Sequence, residues 1–222
     1  AYVLEFGDLY FRIYKDEGQI VDATSGEPIE VTTTYAEADL FDLKFAQDAD
    51  TLYIAHPSYA PRKITRSSHT SWTIAAVSFT GSGFPSDFAA GSAGAGSDAN
   101  NNNPGAITFF QERLWWGGSN NSPQTIWASK TGDFENMDQG TGLADEGLEY
   151  VLGTNDVNFI RWLKASESML IGTVGAEFRL SANGAAVTPS NVLITRETNH
   201  GSNTVDPVVA GRAVLFIQRN GR

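Results

Sequence analysis

The feature that most constrains this chain is a recurring unit: a short run of aromatic and β-branched residues, a polar turn, and a second such run. Leu52-Tyr53-Ile54-Ala55-His56 leads through Pro57 to Pro61 into Arg62-Lys63-Ile64-Thr65. Leu114-Trp115-Trp116-Gly117-Gly118 leads through Asn120-Asn121-Ser122-Pro123 into Thr125-Ile126-Trp127-Ala128-Ser129. Met169-Leu170-Ile171-Gly172-Thr173 leads through Val174-Gly175 into Glu177-Phe178-Arg179-Leu180-Ser181, and Ala213-Val214-Leu215-Phe216-Ile217 begins a further copy. From Leu52 to Leu114, Leu170 and Leu215 the steps are 62, 56 and 45 residues, near the roughly 40 to 50 of a four-stranded propeller blade.

The opening segment fits the same class. Tyr2, Leu4 and Phe6 alternate with Val3 and Glu5, and after Gly7-Asp8 the residues Leu9, Phe11 and Ile13 alternate with Tyr10, Arg12 and Tyr14. Period two is the signature of a half-buried strand, so a β-hairpin turning on Gly7-Asp8 is expected. Asp16-Glu17-Gly18 then turns the chain into Gln19-Ile20-Val21. Thr34 with Glu37 three residues later has the form of a capping box, which predicts one or two helical turns over Ala36 to Phe41. The expected fold is therefore all-β: propeller-like repeats of antiparallel β-meanders, an N-terminal β-hairpin and at most one short helix.

Residues 1–80 read as an N-terminal meander and first repeat, 81–103 as a flexible insertion or the stub of an inserted module, and 104–222 as further, C-terminally truncated repeats. The middle stretch runs through Gly, Ser and Ala to Asn100-Asn101-Asn102-Asn103, too polar to offset its ordering entropy by burial. The absence of an initial Met, and an end at Asn220-Gly221-Arg222 directly after an apolar run, suggest an excised fragment.

The chain has no cysteine, which excludes disulfides, thiolate metal sites and thiol nucleophiles. Fifteen Lys plus Arg against twenty-six Asp plus Glu give a formal net charge of −11. Such a surface is unsuited to gripping phosphates, but it suits a conduit through which DNA slides without sticking, as it suits any soluble surface. No apolar run reaches the ~18 residues of a membrane span, and no signal-peptide pattern opens the chain.

Several stretches, in order, carry a family resemblance: Tyr2-Val3-Leu4-Glu5-Phe6-Gly7; Tyr35-Ala36-Glu37-Ala38-Asp39-Leu40 into Leu43-Lys44-Phe45-Ala46-Gln47; and Leu52 to Pro57 with Pro61-Arg62-Lys63. His69-Thr70-Ser71-Trp72, Phe109 to Leu114, Pro123 to Ser129 and Gly132-Asp133-Phe134-Glu135-Asn136 continue it. In these the chain resembles the nozzle proteins of short-tailed phages, also called tail tubular protein B or stabilisation protein. That resemblance implies a propeller-like β fold, assembly into a ring at the distal end of the tail, and a channel that admits the genome during ejection. It implies as partners other tail proteins (adaptor, fibre or spike) and passing DNA that is not specifically bound. The expected location is the virion tail, assembled in the host cytoplasm. It brings no catalytic residues, cofactor or metal. The chain lacks the family's terminal parts, and its 81–103 stretch is shorter than the inserted modules of relatives.

Read for chemistry, the sequence offers little. His56, His69 and His200 are far apart and lack a second metal-type ligand at helical or strand spacing. There is no Gly-x-Ser-x-Gly. Asp133 with Glu135, and Asp145 with Glu146, are the acid pairs that glycoside hydrolysis would need, but adjacent loop acids are ordinarily solvated. Asp133, Glu135 and Asp138 lack the spacing of a dedicated calcium loop. Ser129 to Phe134 faintly resembles the Asp-box turn of sialidase propellers, its acid displaced past the glycine, and reads as a blade-ending turn.

Trp115 and Trp116 face opposite sides of one strand, so one of them needs a second core or a partner. With Tyr59 they are the candidate contacts to another subunit or a sugar ring. The leading expectation is a non-enzymatic structural component of a phage tail. The alternative is a glycan-binding or glycan-cleaving β-propeller of a phage or prophage.

Overall fold

A computed structural model describes residues 1–82, 102–153 and 158–221. Among these the regular structure is nearly all β, 47% strand against 3% helix, and forms four antiparallel four-stranded sheets and one two-stranded hairpin. The first sheet comprises β1 (Val3–Gly7), β2 (Tyr10–Lys15), β3 (Gly18–Gln19) and β4 (Glu30–Thr32). The second is a meander of β5 (Lys44–Asp48), β6 (Thr51–His56), β7 (Tyr59–Arg66) and β8 (Trp72–Ala76). The third orders β9 (Ala106–Phe110), β10 (Arg113–Gly117), β11 (Thr125–Ala128) and β12 (Leu148–Val151) in the same way. The fourth does so with β13 (Ile160–Ala165), β14 (Met169–Thr173), β15 (Glu177–Ser181) and β16 (Leu193–Thr198). The hairpin is β17 (Val208–Ala210) with β18 (Ala213–Leu215). Each full repeat read from the sequence is thus the central strand pair of a four-stranded, blade-like meander.

Local corrections follow from the turns. The first hairpin pairs Gly7 with Tyr10, so the turn is Asp8-Leu9 and the positive φ of 64° falls on Leu9, not on glycine. Gly7 is needed for clearance instead, because the Tyr10 ring lies across it in space a Cβ would occupy. Gly172 is covered in the same way by its cross-strand partner Trp162. Asp16-Glu17 and Gln111-Glu112 are two-residue loops with both φ values positive, built without glycine. Strand β7 already begins at Tyr59, so the turn after His56 is shorter than Pro57 to Pro61.

The short helix is a 3-10 helix over Glu37–Asp42, and the capping box does not form. The Glu37 amide is instead capped by Asp8 Oδ1 from the first hairpin turn at 3.0 Å, and Thr34 Oγ1 is buried without a partner. A contact 29 residues away in sequence replaces the local one.

The sheets are joined in series by three cores. Phe11 and Ile13 of the first sheet meet Ile54 and Ile64 of the second. Tyr53 and Ala55 from the other side of β6 meet Leu114, Trp116 and Trp127 of the third. Trp115, Ile126 and Ala128 of the third meet Leu163, Ile171 and Phe178 of the fourth. The alternation along β10 and β11 assigns neighbouring residues to opposite cores, which is why Leu114 to Trp116 and Ile126 to Ala128 are unbroken apolar runs in wholly buried strands. β9 lies beside both β5 and β13, so the first strands of three successive sheets run together along one side of the stack.

The expected flexible insertion falls largely on residues 83–101, which lie outside the described residues. Its last two members do not share its expected character: Asn102 and Asn103 are buried, and Asn102 Oδ1 accepts the Asn121 amide at 2.9 Å.

Candidate functional site

The three residues proposed from sequence as outward contacts point inward. Trp115 and Trp116 are 0% exposed and Tyr59 is 5% exposed. Trp115 donates its indole N–H to Phe110 O at 3.0 Å, and Trp116 stacks edge-on with Phe79 at 5.5 Å. Tyr59 lies between Tyr35 and His56 and donates its hydroxyl to Asp39 at 2.6 Å. A side chain enclosed by its own sheets cannot touch a partner without unfolding them, so the assignment of all three to an outer surface is corrected to the core.

Two charged residues that the sequence did not single out tie the far end of the chain back to the second sheet. Lys44 on β5 is 7% exposed; its Nζ donates to Thr204 O at 2.6 Å and pairs with Asp206 at 3.1 Å. Glu177 on β15, 5% exposed, accepts from Thr198 Oγ1, from Ser202 Oγ at 2.8 Å and from the His200 amide. Between them they hold residues 198–206 across from the fourth sheet to the second. Residues 198–206 thus link β15 of the fourth sheet to β5, the first strand of the second. One sequence signal for Lys44 existed: it shares a strand face with Ala46, where alternation demands an apolar residue.

The loop between β11 and β12 is ordered by a second pair. Arg113 is 1% exposed and donates to three carbonyls, Ser129 O, Ala144 O and Glu146 O. Burial pulls its pKa down. Glu146, 5% exposed, accepts amides of the same loop, including Leu143 N at 2.7 Å and Gly142 N, and these backbone hydrogen bonds hold its carboxyl below the usual range. Glu135 accepts from Tyr53 at 3.2 Å and pairs with Lys63. Two of the loop acids expected to be solvated are thus structural, each with bonding capacity already engaged. The Asp-box-like segment lies between the third and fourth strands of its sheet, so it does not end the blade.

His56 is buried, accepts the Ser58 amide on Nδ1 at 3.0 Å, and is kept neutral by burial, which lowers its pKa. His69 meets the Tyr2 hydroxyl at 3.2 Å, and His200 joins the Glu177 cluster through its amide. Among the described residues no group of three His, Asp or Glu side chains is placed to hold a metal ion, and no helix is long and apolar enough to cross a membrane.

Two features of the described surface are apolar and contiguous. A cleft of about 600 Å³ lies between β1 and the second sheet, where the rings of Tyr2, Phe6, Phe45 and Trp72 stand among aliphatic and polar side chains. The β17–β18 hairpin exposes Val208 (63%) and Leu215 (60%), with Ile217 just beyond it. No protein-family model matches the chain, and no curated protein matches it.

Proposed function

We propose that this chain is a structural module of a phage tail, a non-enzymatic part of the nozzle through which DNA leaves the particle. The observation that carries the reading is the apolar β17–β18 hairpin, whose Val208 and Leu215 are left uncovered while the four larger sheets are joined by shared cores. Exposed valine and leucine on a two-stranded hairpin are costly in water and typical of a surface that another subunit covers. Heterologous contacts of this kind, repeated around an axis, close into a ring. The excess of eleven negative charges supports a channel that repels the phosphate backbone and lets it pass. Buried Arg113 and Lys44, engaged by internal carbonyls and an internal aspartate, are not available to hold DNA.

Immunoelectron microscopy tests the assignment. Antibody raised against residues 102–221 should label the tail tip of particles released by the strain that encodes the chain. Labelling confined to host cells, with bare particles, would remove the tail reading.

A further inference from the structure

The cleft beside β1 has the chemistry of a ligand site, and we propose that it binds a short neutral saccharide. Its aromatic walls form two pairs. Tyr2 meets Trp72 edge-on, with ring centroids 5.1 Å apart, and Phe6 meets Phe45 at 5.4 Å. Phe45 is 41% exposed and lies with Tyr2, Leu4, Phe6, Leu52 and Trp72 in one contiguous apolar lining, and a contiguous apolar patch marks an interaction site where a single exposed ring would not. At the rim lie Gln47, Asp50 and Arg66. Arg66 donates to Asp50 from Nε at 2.9 Å and from its terminal nitrogen, and its guanidinium lies 5.2 Å from the Tyr2 ring centroid.

A pyranose is amphipathic: one face presents C–H groups, its edge presents neighbouring hydroxyls. The first stacks on aromatic rings, and the second pairs with side chains that offer two polar atoms in one plane, namely carboxylate, guanidinium and amide. All three planar types stand at the rim of this cleft beside four rings. Charge selects within that class. Asp50 and Arg66 neutralise each other, so a charged ligand gains no net attraction from the pair, and the protein's net charge of −11 repels acidic sugars. A cleft of about 600 Å³ lies within the ~300–1,000 Å³ of small-molecule sites. The site holds irrespective of any tail role, since it needs only the first two sheets.

The protein carries its own reporter. Of its five tryptophans, Trp115, Trp116, Trp127 and Trp162 are at most 1% exposed, and only Trp72, in the cleft, is partly exposed. Maltotriose, cellotriose, mannotriose and chitotriose are titrated with tryptophan fluorescence and calorimetry as readouts. At least one should produce a saturable change and protect Trp72 from acrylamide quenching. Phe45→Ala and Asp50→Asn, both at exposed positions, should weaken that binding by at least about tenfold while leaving the thermal midpoint in place. Trp72→Phe should lose the optical signal and keep calorimetric binding. Absence of saturation with all four sugars up to about 10 mM would overturn the proposal. So would binding that survives both substitutions, or saturable uptake of anilinonaphthalene sulfonate that no sugar displaces, which would identify an apolar docking groove.

Discussion

Trp115 and Trp116, adjacent in β10, belong to different cores: the first is enclosed against the β13–β16 sheet, the second against the β5–β8 sheet. One dipeptide thus fastens the third sheet to both neighbours. Truncating either ring to alanine should cost about 3–5 kcal/mol. Phenylalanine separates the two: Trp115→Phe also forfeits the bond to Phe110 O, worth about 1 kcal/mol, whereas Trp116 Nε1 has no partner to lose. Because the cores are separate, the double Phe variant should be additive within about 0.5 kcal/mol despite adjacency. Urea unfolding midpoints measure all three.

Arg113 acts as an internal cation for carbonyls that no strand pairs. Arg113→Met should leave Ser129 O, Ala144 O and Glu146 O without that donor, destabilising the protein by roughly 2–3 kcal/mol. The loss should concentrate in residues 129–147, seen as faster amide hydrogen exchange there than in β13–β16. Arg113→Lys should recover only part of it, because one ammonium cannot match the spread of a guanidinium.

Glu146 makes the same loop pH-sensitive. Its carboxyl is held low by backbone hydrogen bonds, so its contribution is present above the unfolded value of about 4.3 and is lost as pH falls through the lower folded value. Amides of Gly142 and Leu143 should lose exchange protection on acidification below about pH 4. Glu146→Gln should show that loss already at neutral pH, with little further change on acidification.

His56 shifts a separate part of the acid response. Burial lowers its pKa, opposed by the nearby Asp39 and Asp42, so the unfolded chain takes up the proton more readily. The stability tied to neutral His56 is present above about pH 6.5 and declines as pH falls through the depressed folded value. A His56→Gln variant should lack this first decline, starting from lower stability at pH 7, as read by thermal midpoints between pH 7 and pH 5.

The central strand pairs around Leu52, Leu114 and Leu170 were legible because alternation and turn composition are local properties. The Asp8-Leu9 and Gln111-Glu112 turns were not, since non-glycine residues there adopt positive φ and carry no turn signature. Thr34 and Glu37 suggested a local cap that a distant Asp8 supplies instead. The tryptophan pair signalled two environments correctly, but periodicity alone does not say whether the second is a neighbouring sheet or another subunit. The aromatic cleft was invisible in sequence for a related reason: Tyr2, Phe45, Asp50, Arg66 and Trp72 come from five separate points of the first two sheets.

The tail account is tested most directly by electron microscopy of the protein expressed from its whole reading frame, alone and with its tail partners. It predicts a closed ring around an open channel, with this module repeated in each subunit and the β17–β18 hairpin at the seam. Particles that remain single copies under both conditions, with the hairpin exposed to solvent, would contradict it.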